Sequence, residues 1–363
     1  MKYKLKDLVT IKYGKNQKKV EDNLNGKIPI LGTGGIIGYS KEFLYDKPSV
    51  LIGRKGTINK IKFVDYPFWT IDTLFYTEIN EKLILPQYLY YKLLGINFNN
   101  LNEGTTIPSL RTQTLYEIEL DVDEMDIQRK VVKLLSLIDK KIKQNTRTNN
   151  NLYEIGKAIY QEYFENEKYT SSYEIKQLSE VTTNNRNKID KTKEYKVLSA
   201  VNTGKLVLSD EYFDKQVYSK DIGKYLNVNK NDFAYNPARI NIGSIGLNTY
   251  DFNCCVSPVY VTFSVDKDYI DFFDFHFKSK RFNTEVTLRA SGSVRQALNY
   301  NDFGMIEIQY PSKEMINKFN KSYSKIKNRI NKNKIKTNNL KQIRDVLLPK
   351  LMNGEIDLDK IEI

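Results

Sequence analysis

The amino-acid sequence predicts an α+β protein in which two mixed, β-rich globular domains alternate with two long helices that pair as an antiparallel coiled coil. Three observations lead to this prediction. Two long stretches have apolar residues at helical spacing, two other segments are rich in short strands and glycine turns, and the two halves of the chain match each other as a pseudo-two-fold internal repeat. The predicted domains are a first globular domain at 1–125, a first helix at 126–168, a second globular domain at 169–313, and a second helix with a C-terminal tail at 314–363.

Short apolar runs between glycine turns predict strands in both globular domains. The expected strands are residues 28–31, 49–52, 195–198 and 256–263. A helix is expected at 86–94, because proline opens this segment and glycine follows it. The second globular domain has a corresponding helical segment at 272–280.

The long helices are predicted from the period of their apolar residues. The first stripe consists of Ile127, Val131, Leu134, Leu135, Ile138, Ile142, Leu152, Ile155, Ile159 and Tyr163. The second stripe consists of Met315, Phe319, Tyr323, Ile326, Ile330, Leu340, Ile343 and Leu347. Each helix has about one apolar stripe and therefore needs a partner, so we expect the two to pair, with the globular domains at opposite ends of a rod ~60 Å long. The tail from residue 354 would return towards the first globular domain.

The internal repeat is visible as two constant offsets between matching segments. Residues 3–8 match 173–178 at an offset of 170, whereas residues 104–120 match 292–308 at an offset of 188. The long helices keep the offset of 188. The second globular domain therefore carries 18 extra residues, the difference between the two offsets, between its first and its closing strand.

The charge of the chain favours a polyanionic partner. The sequence has 57 Lys+Arg against 44 Asp+Glu, a formal net charge of +13. Residues 318–344 contain ten basic residues and no acidic one, and residues 129–147 contain seven basic residues and one acidic residue. Such unbalanced charge repels itself along a helix, and a phosphate backbone would relieve the repulsion. The alternative is a solvated helix face in a Lys-rich composition.

Other classes of function find little support. No stretch approaches ~18 uninterrupted apolar residues, and the first residues lack the pattern of a signal peptide, so we expect a cytoplasmic protein. Cys254 and Cys255 are adjacent, which disfavours a disulfide and gives no metal-ligand spacing. We therefore predict no bound metal and no cofactor in this chain.

Candidate catalytic motifs are also incomplete. The single histidine, His276, lies between aromatic residues, where a packed side chain is expected rather than a general base. Residues 32–38 are glycine-rich but lack the Lys-Ser/Thr of a phosphate-binding loop. Residues 236–239, Asn-Pro-Ala-Arg, lack the second proline and the aromatic residue of the amino-methyltransferase signature. We expect no covalent chemistry in this chain.

Basic and amide side chains beside glycine turns are the candidate DNA-binding residues, since Arg and Lys pair with guanine and phosphate while Asn and Gln pair with adenine. In the first globular domain they are Lys15, Asn16, Gln17, Lys18, Lys19, Arg54, Lys55, Thr57, Thr105, Thr106 and Arg111. In the second they are Asn185, Arg186, Lys188, Arg239, Asn241, Arg289, Ser291, Ser293, Arg295 and Gln296. A solvated surface is the alternative for each run taken alone.

The whole pattern resembles the specificity subunit of type I restriction-modification systems. Residues 28–32 (IPILG) and 50–56 (VLIGRKG) are similar to the core of a target-recognition domain of that family. Residues 127–130 (IQRK) open the first helix as in the family, and residues 347–356 (LLPKLMNGEI) resemble the end of its second helix. The second helix departs from the pattern, since residues 315–318 (MINK) lack the Gln-Arg pair.

This resemblance implies a non-catalytic DNA-recognition subunit. Each target-recognition domain would read one half of a bipartite, asymmetric target in double-stranded DNA, and the paired helices would fix the spacer. Two modification (methyltransferase) subunits would dock on the chain and bring S-adenosylmethionine, and restriction/translocase subunits would join through them with ATP and Mg. The alternatives are a stand-alone bipartite DNA-binding protein, such as a repressor, and a nucleic-acid enzyme with an unrecognised active site.

Overall fold

The computed structural model describes residues 1–166, 173–213, 216–290 and 297–356. The chain divides into two compact units: unit 1 contains residues 1–147 and 334–363, and unit 2 contains residues 148–333. Each long helix crosses this division, because α4 spans Met125–Phe164 and α10 spans Lys313–Met352. The predicted positions of both long helices are thus confirmed, whereas the units are divided within the helices rather than at their ends.

The strands of unit 1 form three sheets. The larger is antiparallel with the order β2-β8-β5-β6, and the second has the order β4-β3-β7. A third, two-stranded sheet pairs β1 with β9. The bounds are β1 Lys2–Lys4, β2 Val9–Tyr13, β3 Ile28–Gly32, β4 Gly35–Ser40, β5 Ser49–Gly53, β6 Lys62–Val64, β7 Trp69–Thr70, β8 Leu74–Ile79 and β9 Glu119–Asp121.

Three short helices complete the globular part of unit 1: α1 Leu5–Leu8, α2 Pro86–Leu94 and α3 Thr112–Tyr116, with a 3-10 turn at Phe98–Leu101. The predicted helix at 86–94 is confirmed with identical bounds. The core of unit 1 joins these elements to both long helices, since Val131 and Leu135 of α4 and Leu351 of α10 are buried in it. Asp139 of α4 also pairs with Arg344 of α10 at 3.0 Å.

The strands of unit 2 form two four-stranded sheets, with the orders β11-β18-β15-β16 and β13-β12-β17-β14, and one pair, β10 with β19. The bounds are β10 Glu174–Gln177, β11 Thr182–Asn184, β12 Lys196–Val201, β13 Lys205–Leu208, β14 Leu226–Val228, β15 Phe233–Tyr235, β16 Ile245–Leu247, β17 Cys254–Val256, β18 Val261–Val265 and β19 Glu307–Tyr310.

The helices of unit 2 are α5 Leu178–Val181, α6 Ser209–Tyr212, α7 Ile270–His276, α8 Lys280–Ala290 and α9 Tyr300–Gly304, with 3-10 turns at Ile240–Ile242 and Lys267–Tyr269. Its largest core is aromatic and includes Tyr160 and Phe164 of α4 together with Phe319 and Tyr323 of α10. The two helices approach closely here, since a Cβ on Gly156 would lie 2.6 Å from the Tyr323 ring.

Within each unit the two helix segments run antiparallel. In unit 2, Asn149 accepts a hydrogen bond of 3.0 Å from Asn333, and further along α4 the Tyr163 hydroxyl lies 3.5 Å from the Ser322 hydroxyl. In unit 1, Asp139 pairs with Arg344, and Val131, earlier in α4, shares a buried core with Leu351, later in α10. The coiled-coil geometry over the full length of the helices stays a prediction.

Two sequence predictions in unit 2 are wrong in detail. Residues 256–263 are not one strand, because a turn in which the Tyr260 amide donates to the Ser257 carbonyl (3.0 Å) separates β17 from β18. Residues 272–280 are not one helix, because α7 ends at His276 and the Ser279 hydroxyl accepts from the Phe282 amide at the start of α8. In both places a single run of mostly apolar residues forms two elements, because the chain turns between them.

The two units share a framework of backbone hydrogen bonds at equivalent places in the fold, although Leu178 lies 173 residues after Leu5 rather than at the sequence offset of 170. The Leu5 amide donates to the Ile118 carbonyl (2.8 Å) in unit 1, and the Leu178 amide donates to the Ile306 carbonyl (2.9 Å) in unit 2. In each unit these bonds tie the first short helix to the residue before the closing strand. The same local structure therefore occurs twice, with the first short helix of unit 2 shifted by three residues from the position that the sequence match predicts.

Candidate DNA interface

A polar cleft in unit 1 brings together three of the predicted DNA-binding residues, Arg54, Lys55 and Arg111. The cleft has a volume of about 300 Å³. Its remaining lining residues are Tyr13, Ser109, Leu110 and Gln113. These residues come from three separate parts of the sequence, so the fold creates a single basic site that no one segment contains.

The loop that carries Arg54 depends on two glycines. A Cβ on Gly53 would lie 2.0 Å from the Thr57 carbonyl oxygen, so the loop can close this tightly only with glycine at its start. Gly56 has φ +82°, in the left-handed region that glycine adopts without strain. The VLIGRKG motif is thus a buried strand followed by a tight, exposed turn.

Backbone hydrogen bonds hold this loop against two neighbouring segments. The Arg54 amide donates to the Thr73 carbonyl, and the Arg54 carbonyl accepts from the Leu110 amide. The Gly56 amide donates to the Pro108 carbonyl at 2.9 Å. The loop backbone is therefore fixed by hydrogen bonds to two segments, one at Thr73 and the other at Pro108 and Leu110.

The Arg54 side chain is also held in place. Its Nη1 donates to the Asp72 carbonyl oxygen at 2.9 Å, and its guanidinium carbon lies 5.1 Å from the centre of the Tyr13 ring. A guanidinium over an aromatic face gains a cation–π attraction, and its rotamer freedom is already restricted. Arg54 is half-buried, and its partner is a neutral carbonyl, so its positive charge is not neutralised by this contact.

The other two cations of the cleft differ from Arg54. Arg111 forms an ion pair with Glu103 at 3.0 Å, and Glu103 also accepts from the Thr114 hydroxyl. Arg111 therefore already has an anionic partner. Lys55 is exposed at the rim of the cleft.

The remaining candidates of unit 1 lie on other turns. Lys15, Asn16, Gln17, Lys18 and Lys19 follow β2, where the Asn16 side chain accepts from the Lys18 amide at 2.9 Å and so shapes the turn. Thr57 ends the Arg54 loop. Thr105 and Thr106 are exposed on the segment that precedes Ser109.

The candidates of unit 2 lie on different loops. Asn185, Arg186 and Lys188 follow β11, and all but the half-buried Asn185 are exposed. Arg239 is exposed and Asn241 half-buried at the 3-10 turn Ile240–Ile242, and Arg289, near the end of α8, lies 4.0 Å from Glu285. Ser291, Ser293, Arg295 and Gln296 lie outside the described residues.

Unit 2 has a loop at the position that corresponds to the Arg54 loop. The Leu298 amide donates to the Pro237 carbonyl at 3.0 Å, and Leu298 matches Leu110 at the repeat offset of 188. Pro237 therefore occupies the place of Arg54 in the framework. Both units therefore have this backbone hydrogen bond, but the residue whose carbonyl accepts it is Arg54 in unit 1 and Pro237 in unit 2.

His276 has the structural role that the sequence predicts. Its side chain is buried, its Nδ1 lies 3.2 Å from the Tyr160 hydroxyl, and its ring stacks on Phe272. Burial, with a smaller contribution from Arg281, lowers the pKa of His276 to about 3. The imidazole is neutral at physiological pH and lies among aromatic rings.

Sequence reasoning missed the residues that orient Arg54. Tyr13 is 51% exposed at the end of β2, and the carbonyl of Asp72 comes from a segment that has no charge pattern of its own. An aromatic residue directly before a basic run, as in residues 9–19, was an available signal for Tyr13. No local pattern indicates that the Asp72 carbonyl is turned towards Arg54.

The described residues contain neither a membrane-spanning helix nor a metal-binding cluster. No helix in the described ranges is long and apolar enough to cross a membrane. Over the same residues, no group of three or more His, Cys, Asp or Glu side chains is placed to hold a metal ion.

The sequence and the fold of this chain are similar to those of known type I restriction-modification specificity subunits. Residues 1–154 match the family model of the Type I restriction modification DNA specificity domain. The chain is also similar to the type I restriction enzyme MjaIX specificity subunit of Methanocaldococcus jannaschii, with 21% identity over 352 residues that cover 88% of this chain and 80% of that protein.

Two further matches agree. The HindI specificity subunit of Haemophilus influenzae is 44% identical over 69 residues, which cover 19% of this chain and 15% of that protein. The crystal structure of a type I restriction-modification S subunit from M. genitalium superposes with a TM-score of 0.57 at 18% identity and covers 97% of this chain and 95% of that one, so the two share a fold. The predicted resemblance to type I specificity subunits is confirmed.

Proposed function

We propose that this chain is the DNA sequence-specificity subunit of a type I restriction-modification complex, in which each unit reads one half of a bipartite target. The observation that carries the proposal is the shared hydrogen-bond framework, which presents Arg54 in unit 1 and Pro237 in unit 2 at the same place. Two like scaffolds with unlike loops suit an asymmetric target with two different halves. The net charge of +13 suits a DNA ligand.

The paired long helices would set the spacer between the two half-sites. Each unit contains a segment of both helices, and the contacts within each unit are antiparallel. A helix is a stiff element with a fixed rise of ~1.5 Å per residue, so its length converts directly into a distance along DNA. The helices would therefore act as a ruler.

The modification subunits would dock partly on exposed apolar residues of the long helices. Leu137 is 53% exposed on α4, and Val346 is 58% exposed on α10, both in unit 1. Ile155 on the unit 2 segment of α4 is 50% exposed. Contact with a partner would remove these side chains from water.

Catalysis in the complex would belong to the partners. We expect two modification subunits to supply S-adenosylmethionine and adenine methylation, and restriction subunits to supply ATP-driven translocation with Mg. The purified chain should therefore transfer no methyl group to DNA, and measurable transfer without a partner would contradict this part of the proposal.

Co-expression with a modification subunit, followed by sequencing of methylated adenines, tests the proposal. We expect one motif with two defined halves and a spacer of constant length. Exchange of residues 173–308 for those of a relative should change one half only. A continuous motif, or an exchange that alters both halves, would contradict the two-unit proposal, and tight specific binding by the chain alone would favour a repressor-like protein.

A further inference from the structure

Arg54 is the cation of the unit 1 cleft whose geometry suits contact with a base rather than with a phosphate. A base edge in the major groove is read by donors in a fixed plane, whereas a phosphate is satisfied by a mobile charge. The Arg54 guanidinium is fixed by the Asp72 carbonyl (2.9 Å) and by the Tyr13 ring (5.1 Å). Only Nη1 donates to a protein acceptor within the described residues, which leaves most of its N–H groups available.

The neighbouring cations are less suited to this role. Arg111 already has a carboxylate partner in Glu103. Lys55 carries a point charge on a flexible, exposed stem, as expected of a phosphate contact at the rim of the cleft. Arg54 therefore combines a planar fork, an uncompensated charge and a fixed position.

The corresponding loop of unit 2 supports a role in specificity. The backbone hydrogen bond to Leu110 in unit 1 is repeated at Leu298 in unit 2, but its acceptor changes from Arg54 to Pro237. A residue needed only to fold this loop would have a counterpart with similar contacts in both units. At this place of the framework the arginine belongs to unit 1 alone, because unit 2 carries its loop arginine, Arg239, two residues after Pro237.

We propose that Arg54 recognises a guanine in the half-site read by unit 1, with two N–H groups donating to O6 and N7 in the major groove, while Tyr13 and the Asp72 carbonyl hold it in position. This inference rests on the proposed function and names the base that one loop would select. Arginine paired with these two guanine acceptors is the commonest specific contact between a side chain and a base.

The test compares Arg54→Lys with the wild type, each co-expressed with the modification subunit, by methylome sequencing. Lysine keeps the charge but loses the planar fork. We expect the wild type to require guanine at one position of one half-site. In the variant, discrimination at that position should fall by about ten- to a hundred-fold, with the other half-site and the spacer unchanged.

Two further variants separate base reading from phosphate contact. Arg54→Gln should relax the same position, whereas Lys82→Gln, a matched loss of charge beyond the opposite end of β8 and roughly 20 Å away, should leave the motif intact. If Arg54→Lys leaves the motif unchanged and Arg54→Gln only weakens binding evenly with a salt slope reduced by about one, Arg54 contacts phosphate and this inference is overturned. A wild-type complex without a bipartite motif would overturn the proposed function itself, and this inference with it.

Discussion

Lys92 donates a hydrogen bond of 2.8 Å from its Nζ to the backbone carbonyl of Met352, the last residue of α10. The lysine is buried, with only 9% of its surface exposed, and its Nζ lies 3.9 Å from Asp123. Burial lowers the pKa of Lys92, with Asp123 acting in the opposite direction. A positive charge at the carboxyl end of a helix also interacts favourably with the helix dipole. One side chain thus fastens the end of the second long helix to the core of unit 1.

Replacement of Lys92 by methionine should destabilise unit 1. The change keeps the unbranched apolar stem of the side chain but removes the ammonium group. It thereby removes a charged hydrogen bond, which contributes about 1.5–3 kcal/mol, and leaves the Met352 carbonyl without this donor. Urea unfolding should show the loss. Lys82→Met, at an exposed site in the same unit, is the control and should shift the midpoint little; equal stability of Lys92→Met and the wild type would exclude this anchoring role.

Acid should destabilise unit 2 through His276. The pKa of His276 is about 3 in the folded state, against 6.5 for an unperturbed histidine. Below pH 6.5 the unfolded chain binds a proton that the folded chain cannot bind, so stability falls as the pH drops from 6.5 towards 3, by up to about 1.4 kcal/mol per pH unit.

This histidine is the only one in the sequence, so its replacement by phenylalanine isolates the effect. Urea unfolding at pH 7, 6 and 5 should give a flatter profile for His276→Phe than for the wild type. Carboxylates affect both proteins alike. Parallel profiles would mean that the imidazole is not kept neutral in the fold.

Replacement of Thr337 by asparagine should stabilise the chain. In unit 2, Asn333 donates to Asn149 at 3.0 Å. The positions that correspond at the offset of 188 are Asn145 and Thr337 in unit 1, where the Asn145 Nδ2 and the Thr337 Oγ1 are buried and have no hydrogen-bond partner in the described part of the chain.

The longer asparagine side chain would provide the missing acceptor for Asn145. We expect a gain of about 1 kcal/mol, or ~2–4 °C in melting temperature. Thr337→Val, which removes the unpaired hydroxyl without supplying an acceptor, separates the relief of a buried polar atom from the formation of a new bond. A melting temperature for Thr337→Asn below that of the wild type would contradict the prediction.

A coordinated deletion in both helices should shorten the DNA spacer. Removal of residues 145–148 and 333–336 takes about one turn, or ~6 Å, from each helix at corresponding positions of the repeat. At ~3.4 Å per base pair, methylome sequencing should return a spacer shorter by about two base pairs with both half-sites intact. Deletion from one helix alone should instead disturb the pairing and reduce methylation, and an unchanged spacer in the double deletion would refute the ruler.

Sequence patterns predicted the long elements well, because a period repeated over ten turns is a strong signal. Both long helices begin within one residue of their predicted starts, and the 86–94 helix has its predicted bounds. Short elements were harder, as β17 and β18 show, because only the four residues 257–260 separate these two strands.

The candidate site was predicted only in part, for a similar reason. Arg54 and Arg111 could be identified from their residue type and neighbouring glycines, but their meeting in one cleft depends on long-range pairing. The partners that give them different roles, Asp72 and Glu103, lie 18 and 8 residues away in sequence. Which basic residue is oriented for recognition therefore depends on contacts between segments that are distant in the sequence.

The division of both helices between the two units also determines the order in which the chain can complete its structure during synthesis. Unit 2 is continuous in sequence, from residue 148 to 333, and can close once its last strand and the start of α10 have emerged from the ribosome. Unit 1 has to wait for Leu351 and Met352, which pack into its core some 200 residues after residue 147. At ~5–20 residues per second, its apolar surface stays uncovered for roughly 10–40 s, so the first unit to be translated is the last to finish folding.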